Sequence, residues 1–166
     1  MKIQNIPESL FEVVLQSYSL ESFGRNLADF EHELVKRSSR GGIYVTIEEC
    51  PRLLAGVFSG GFTLDAWIAA YAEELVEQFR LEEPAWVWAA ERFLAVPFIQ
   101  GSHSKRLKLW HTLKSPSSFS RRNLFVDFHL PPIALRRGRP VKSDAHKRMM
   151  NRQRVARFRG KAKTVS

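Results

Sequence analysis

Thr63-Leu64-Asp65-Ala66-Trp67-Ile68-Ala69-Ala70-Tyr71-Ala72-Glu73-Glu74-Leu75-Val76-Glu77-Gln78-Phe79 is the stretch on which the fold turns. Leu64, Trp67, Ile68, Tyr71, Leu75 and Phe79 recur mostly three and four apart, which gathers them on one face of an α-helix. Thr63 reads as its N-cap. Asp65 falls in the first turn, where the helix dipole favours negative charge. Glu82-Glu83-Pro84 closes the helix, because the residue before a proline is pushed out of the helical region.

Working outward, Leu20, Phe23, Leu27, Phe30 and Leu34 alternate three and four apart and define a second helical face. That helix runs from about Pro7 or Leu20 to Lys36, with Gly24 as a candidate break, and the Ser38–Gly42 loop follows. Thr46-Ile47-Glu48-Glu49 has the form of a capping box and predicts a short helix toward Phe58. A short aromatic-rich helix is expected from Trp86 to Val96, closed by Pro97, and another from Lys105 to Lys114 with Leu107, Trp110 and Leu113 inside. Leu124, Val126, Phe128 and Leu130 alternate with Phe125 on the other face, which predicts a short edge strand or extended segment near 123–130 before Pro131-Pro132. The expected fold class is therefore mostly α: a small helical domain, that one short strand and a basic C-terminal tail.

Charge divides the chain sharply. Residues 1–100 carry 8 Lys+Arg against 15 Asp+Glu, a net of −7, and residues 101–166 carry 18 against 2, a net of +16. Such a split implies an acidic body over 1–132 and a basic arm over 133–166 that seeks a polyanion. Hydrophobic residues make up 44% of the 166, including 12 Phe and 4 Trp, so the body has material for a core. One cysteine, Cys50, permits no internal disulfide and fits a reducing compartment. It is read as a small buried hydrophobe in a helix beside Pro51. The first residues have no apolar signal segment, and no apolar run is long enough to span a bilayer. A cytoplasmic protein without membrane contact is expected.

Catalytic and cofactor signatures are missing from the sequence. It has no phosphate-binding glycine loop, dinucleotide fingerprint or nucleophile elbow, so no enzyme and no cofactor are expected. His32, His103, His111, His129 and His146 do not pair at zinc spacing, so no metal is expected either. Asp127 and His129 share one side of a strand and could make a base with its orienter, but with no nucleophile nearby in sequence they read as a local ion pair or hydrogen bond. The doublets Glu48-Glu49, Glu73-Glu74 and Glu82-Glu83 diverge by roughly 100° per residue on a helix and read as solvated surface.

The tail carries the chemistry. Arg136-Arg137-Gly138-Arg139-Pro140-Val141-Lys142 contains Arg-Gly-Arg-Pro and resembles the core of an AT-hook. In that motif Gly lets the backbone lie deep in the minor groove of A·T-rich DNA while the arginines run along its floor. A flexible basic linker is the plain alternative. Ser143 can cap a helix from Asp144 to about Arg159, stopped by Gly160, on which Lys147, Arg148, Arg152, Arg154, Arg157 and Arg159 repel one another unless phosphates neutralise them. DNA is the expected ligand, with RNA beside it, because arginine-rich arms bind both.

A family resemblance lies in the body. Pro84-Ala85-Trp86-Val87, Arg92-Phe93-Leu94 and Pro97-Phe98, followed by Ser115-Pro116-Ser117-Ser118-Phe119-Ser120-Arg121-Arg122-Asn123-Leu124-Phe125-Val126, resemble small bacterial proteins encoded beside a minimal nucleotidyltransferase-type protein in toxin–antitoxin operons. The family pattern reads Ser-Pro-x-x-Phe-x-x-Arg-Asn-aliphatic-Phe, and Phe98 departs from the usual Trp. The resemblance covers roughly 64–130 and implies an antitoxin or operon regulator that binds a nucleotidyltransferase-like toxin. Phe119 and Phe125 read as packing anchors. Arg121 and Arg122 read either as a phosphate or carboxylate clamp or as packing with a surface ion pair. A stand-alone DNA- or RNA-binding accessory protein of a mobile element is the second expectation, and an enzyme with a scattered site the third.

Overall fold

The computed structural model describes residues 5–39, 47–101 and 104–130. They belong to one compact unit running to Ala134, while residues 135–166 make up the second unit and lie outside the described residues. The described chain is 56% helical with one small sheet, so the expected mostly-α class holds.

The stretch from Thr63 to Phe79 lies in helix α3, Gly61–Phe79, and the core is built around it. Leu64, Ile68, Tyr71 and Leu75 pack into one apolar cluster with Phe23, Phe30, Leu34 and Leu54. Ala66 and Ala70 face a second cluster of Leu94, Phe119, Leu124 and Val126. The helix is thus buried on several sides, as its small residues allow. Trp67 sits between the clusters, with ring centroids 6.0 Å from Phe23, 5.1 Å from Tyr71, 5.6 Å from Phe119 and 5.5 Å from Phe128. Thr63 does not cap α3. Gly60 does, in the left-handed conformation at φ 85°. A Cβ on the next residue, Gly61, would stand 2.0 Å from the Leu54 carbonyl oxygen, so only glycine lets the chain pass there.

The expected N-terminal helix is two helices, α1 (Leu10–Leu15) and α2 (Leu20–Ser39). The break falls at Gln16–Ser19 and not at Gly24, which lies inside α2 with open space around it. Serines make the elbow: Ser22 N–H donates to Ser19 Oγ at 3.1 Å, and Ser19 N–H donates back to Ser22 Oγ at 2.8 Å. Phe23, Phe30 and Leu34 are buried as their spacing predicts, but Leu20, at the elbow, is exposed.

Two further expectations fail for one reason. The described part of the stretch from Thr46 to Phe58 forms no helix, and 86–96 contains only the 3₁₀ turns Ala85–Trp88 and Ala90–Arg92. Side chains from elsewhere in the fold take the backbone groups that a helix would use. Leu54 and Ala55 N–H donate to Asp65 at 2.7 and 2.8 Å, and the Val87 and Leu94 carbonyls accept from Arg122 Nη2 at 2.9 Å and Asn123 Nδ2 at 2.7 Å. Cys50 consequently lies exposed in a non-helical segment, not buried in a helix.

Helix α4 spans Lys105–Lys114 as expected, but it buries none of its residues; Leu107, Trp110 and Leu113 face solvent. The short α5, Ser117–Ser120, leads into strand β2 (Leu124–Phe125), which pairs in parallel with β1 (Phe98–Ile99). Along 124–130 Leu124 and Val126 are buried and Phe128 and Leu130 half-buried, the alternation the sequence predicts. Among the described residues no helix is long and apolar enough to cross a membrane.

Candidate functional site

The residues that carry the family resemblance fold into a single knot around Arg122. Ser115 Oγ accepts from Val126 N–H at 2.7 Å and lies 2.7 Å from the His111 carbonyl, tying the end of α4 to the strand. The Pro116 carbonyl accepts from Phe119 and Ser120 N–H at 3.1 and 2.9 Å, which closes α5. Phe119 is fully buried, whereas Phe125 is half-buried. Asn123 takes a left-handed conformation at φ 58°, which Asn tolerates better than most residues. Its Nδ2 donates to the Leu94 carbonyl at 2.7 Å, and its own carbonyl accepts from Phe98 N–H at 2.8 Å.

Arg122 lies at the centre with no exposed surface. Nη1 donates to the Ser118 carbonyl at 2.8 Å and Nη2 to the Val87 carbonyl at 2.9 Å. The guanidinium also forms an ion pair with Glu73 and sits 4.8 Å from the Phe93 ring centroid. Burial pushes the Glu73 carboxyl up and the Arg122 guanidinium down, and each partly offsets the shift of the other. Of the two alternatives the sequence left for this pair, Arg122 therefore has the geometry of internal packing. Arg121 differs: it is 42% exposed, lies 3.5 Å from Glu73, and stands 5.4 Å over the half-exposed Trp88 ring. It keeps a face toward solvent.

Sequence reasoning missed how much the acids do. Glu73 is buried against Arg122, and Glu74 accepts from Ser118 Oγ, so that doublet is not solvated surface. Asp65, assigned to the helix dipole, forms a buried pair with Arg92 at 3.3 Å. The missing signal lies in matching Asp65 and Glu73, on α3, with arginines 27 and 49 residues away, which no local pattern encodes. Asp127 Oδ1 and His129 Nε2 stand 3.3 Å apart and exposed, the local contact read from their spacing. Tyr71 donates to Glu31 at 3.1 Å, and burial raises the pKa of both.

A depression of about 190 Å³, counted out to open solvent, is lined by Pro7, Glu8, Phe30, Glu33, Leu34 and Arg37. Among the described residues no three His, Cys, Asp or Glu side chains gather to hold a metal. Exposed cations gather instead on α4, where Lys105, Arg106, Lys108 and Lys114 stand without an acid in the helix. The tail residues Arg136, Arg137, Gly138, Arg139, Pro140, Lys142, Lys147, Arg148, Arg152, Arg154, Arg157 and Arg159 lie outside the described residues. Comparison of the chain with protein-family models, curated proteins and solved structures finds no match.

Proposed function

We propose that this chain is a non-enzymatic, cytoplasmic regulator of antitoxin type, whose helical body binds a partner protein and whose basic C-terminal region binds DNA. The observation that carries the reading is the charge partition, −7 over residues 1–100 and +16 over 101–166. The four exposed cations of α4 extend the basic region back into the folded body. A surface of that sign attracts a phosphate backbone, and the acidic half of the chain repels it, which orients the encounter. A nucleotidyltransferase-like toxin is the partner that the sequence resemblance implies, with residues around the Arg121–Trp88 surface available to meet it.

Fluorescence anisotropy on A·T-rich duplex, G·C-rich duplex and single-stranded RNA tests the nucleic-acid half. Affinity for duplex should fall with salt on a log–log slope of magnitude roughly 4–8, since each phosphate neutralised contributes about 0.9. Arg137→Ala with Arg139→Ala should remove a preference for A·T-rich duplex, because groove shape and potential supply it. Lys147→Ala with Arg148→Ala should weaken all duplexes alike. A chain that binds none of the three probes at low salt would overturn the reading.

A further inference from the structure

Helix α4 carries four cations in ten residues, Lys105, Arg106, Lys108 and Lys114, and no acid. Half-buried His111 is the one residue of the helix that is not exposed. Arg106, Trp110 and Lys114 are four apart, so they stand in a row along one face, about 12 Å from first to last. Trp110 is 53% exposed at the centre of that row, and Lys114 Nζ lies 5.5 Å from its ring centroid. At roughly 100° per residue, Arg106 falls between Leu113 and Trp110 around the axis, and Lys114 between Trp110 and Leu107. Both leucines are exposed. Cations and apolar side chains therefore interleave around α4 and do not separate into two faces. Strand β1 runs beside the helix, and its Phe98 is 41% exposed.

Four cations without an acid call for a polyanion, and the interleaving selects among polyanions. A lipid surface takes a helix whose charged and apolar faces are opposed, so that one sinks while the other stays among the headgroups. Duplex DNA offers phosphates but keeps the flat faces of its bases stacked inside, out of reach of Trp110. A single strand alternates phosphates with open bases, and proteins hold one with cations along the backbone and aromatic rings under the bases. We infer that α4 binds single-stranded DNA, with a base stacked on Trp110 and the neighbouring phosphates on Arg106 and Lys114. Lys105 and Lys108 add charge along the strand, and Phe98 offers a second ring. This rests on the basic region being DNA-binding, as proposed above, which is what selects DNA over RNA. The basic region then has two kinds of contact: the tail for duplex and α4 for an opened strand.

Fluorescence anisotropy of the full chain with labelled oligothymidylate, which does not pair with itself, tests it. Trp110→Leu keeps an apolar side chain without a flat ring and should weaken binding about tenfold, the scale of losing one stacked base. Trp110→Phe keeps the ring and should stay within about threefold of wild type. Neither should change affinity for A·T-rich duplex. Arg106→Ser with Lys114→Ser should lower the log–log salt slope on oligothymidylate by about 1.4, since each phosphate on a single strand contributes about 0.7. All three side chains are exposed, so thermal midpoints should not move; if that of Trp110→Leu does, the slope of the double variant carries the test. Oligothymidylate binding that neither variant alters would overturn the proposal, as would an equal loss on duplex or tighter binding of oligouridylate. So would competition by polyglutamate as strong as by unlabelled oligothymidylate, which would assign α4 to an acidic protein, or Trp110-dependent binding of phosphatidylglycerol vesicles with oligothymidylate unaffected, which would assign it to lipid. The duplex reading of the tail fails separately, through a chain that binds no duplex while its Trp110-dependent binding of oligothymidylate remains.

Discussion

Replacing Asp65 with alanine should come close to unfolding this protein, although Asp65 touches no ligand surface. Its carboxylate accepts from Leu54 N–H at 2.7 Å, from Ala55 N–H at 2.8 Å and from Arg92 Nη1 at 3.3 Å, with both side chains of the ion pair 2% exposed. Arg92 also donates to the Pro51 carbonyl and stands 5.2 Å from the Trp86 ring centroid. Removing the acid strands a buried cation, which costs about 3–5 kcal/mol. It also leaves the Leu54 donor buried and unpaired, worth about 1–3 kcal/mol. The two terms overlap, so a total of about 4–6 kcal/mol is expected, against a typical domain stability of about 5–15 kcal/mol. Urea unfolding followed by tryptophan fluorescence gives the number. Asp65→Ala with Arg92→Met should be less destabilised than the sum of the single variants by about 2 kcal/mol, because the cation is gone with its partner. A loss below about 1 kcal/mol for Asp65→Ala, or strict additivity in the cycle, would refute the view that this pair fixes the 51–55 segment to α3.

Gly61→Ala should lose about 3 kcal/mol or more in the same assay, because its Cβ would meet the rigid backbone of Leu54 and Ala55 and no flexible side chain. Arg122→Ala should lose about 4 kcal/mol, because it breaks a buried ion pair with Glu73 and leaves the Ser118 and Val87 carbonyls without their donor, whereas Arg121→Ala should lose less than about 1 kcal/mol, its pairing being exposed; equal losses would contradict the burial difference between them. Glu31→Gln keeps an acceptor for Tyr71 and removes a carboxyl whose pKa is raised by burial. A raised acid binds its proton more tightly when folded, so wild-type stability falls relative to the variant as pH climbs from the ordinary glutamate range through the raised value. Above that value the gap should be constant, and a gap that widens on acidification would be the wrong sign.

The knot around Arg122 also changes what the sequence resemblance says. Ser115, Pro116, Phe119, Arg122 and Asn123 each hold a backbone turn or a buried partner. A pattern of this kind specifies how α5 and the two strands meet under α3. Of the residues around the knot, Arg121 and Trp88 are the ones that face solvent.

The sequence alone determined what depends on neighbours along the chain. The periodicity of 64–79, the limits of α4 and the alternation from Leu124 to Leu130 follow from local stereochemistry and burial, and each appears in the fold. The charge partition is likewise a property of composition. Tertiary structure decided everything that needed a distant partner. The short helix expected toward Phe58 lost Leu54 and Ala55 to Asp65, and the 86–96 helix gave way to turns whose Val87 and Leu94 carbonyls accept from Arg122 and Asn123, because a buried side chain bonding a backbone group outweighs a few tenths of a kcal/mol of helical preference. Glu73 went inside because Arg122, 49 residues later, is packed there to meet it. The leucines of α4 went outside for the complementary reason: periodicity shows that a helix has an apolar face, but only the packing of the other elements shows whether anything covers it.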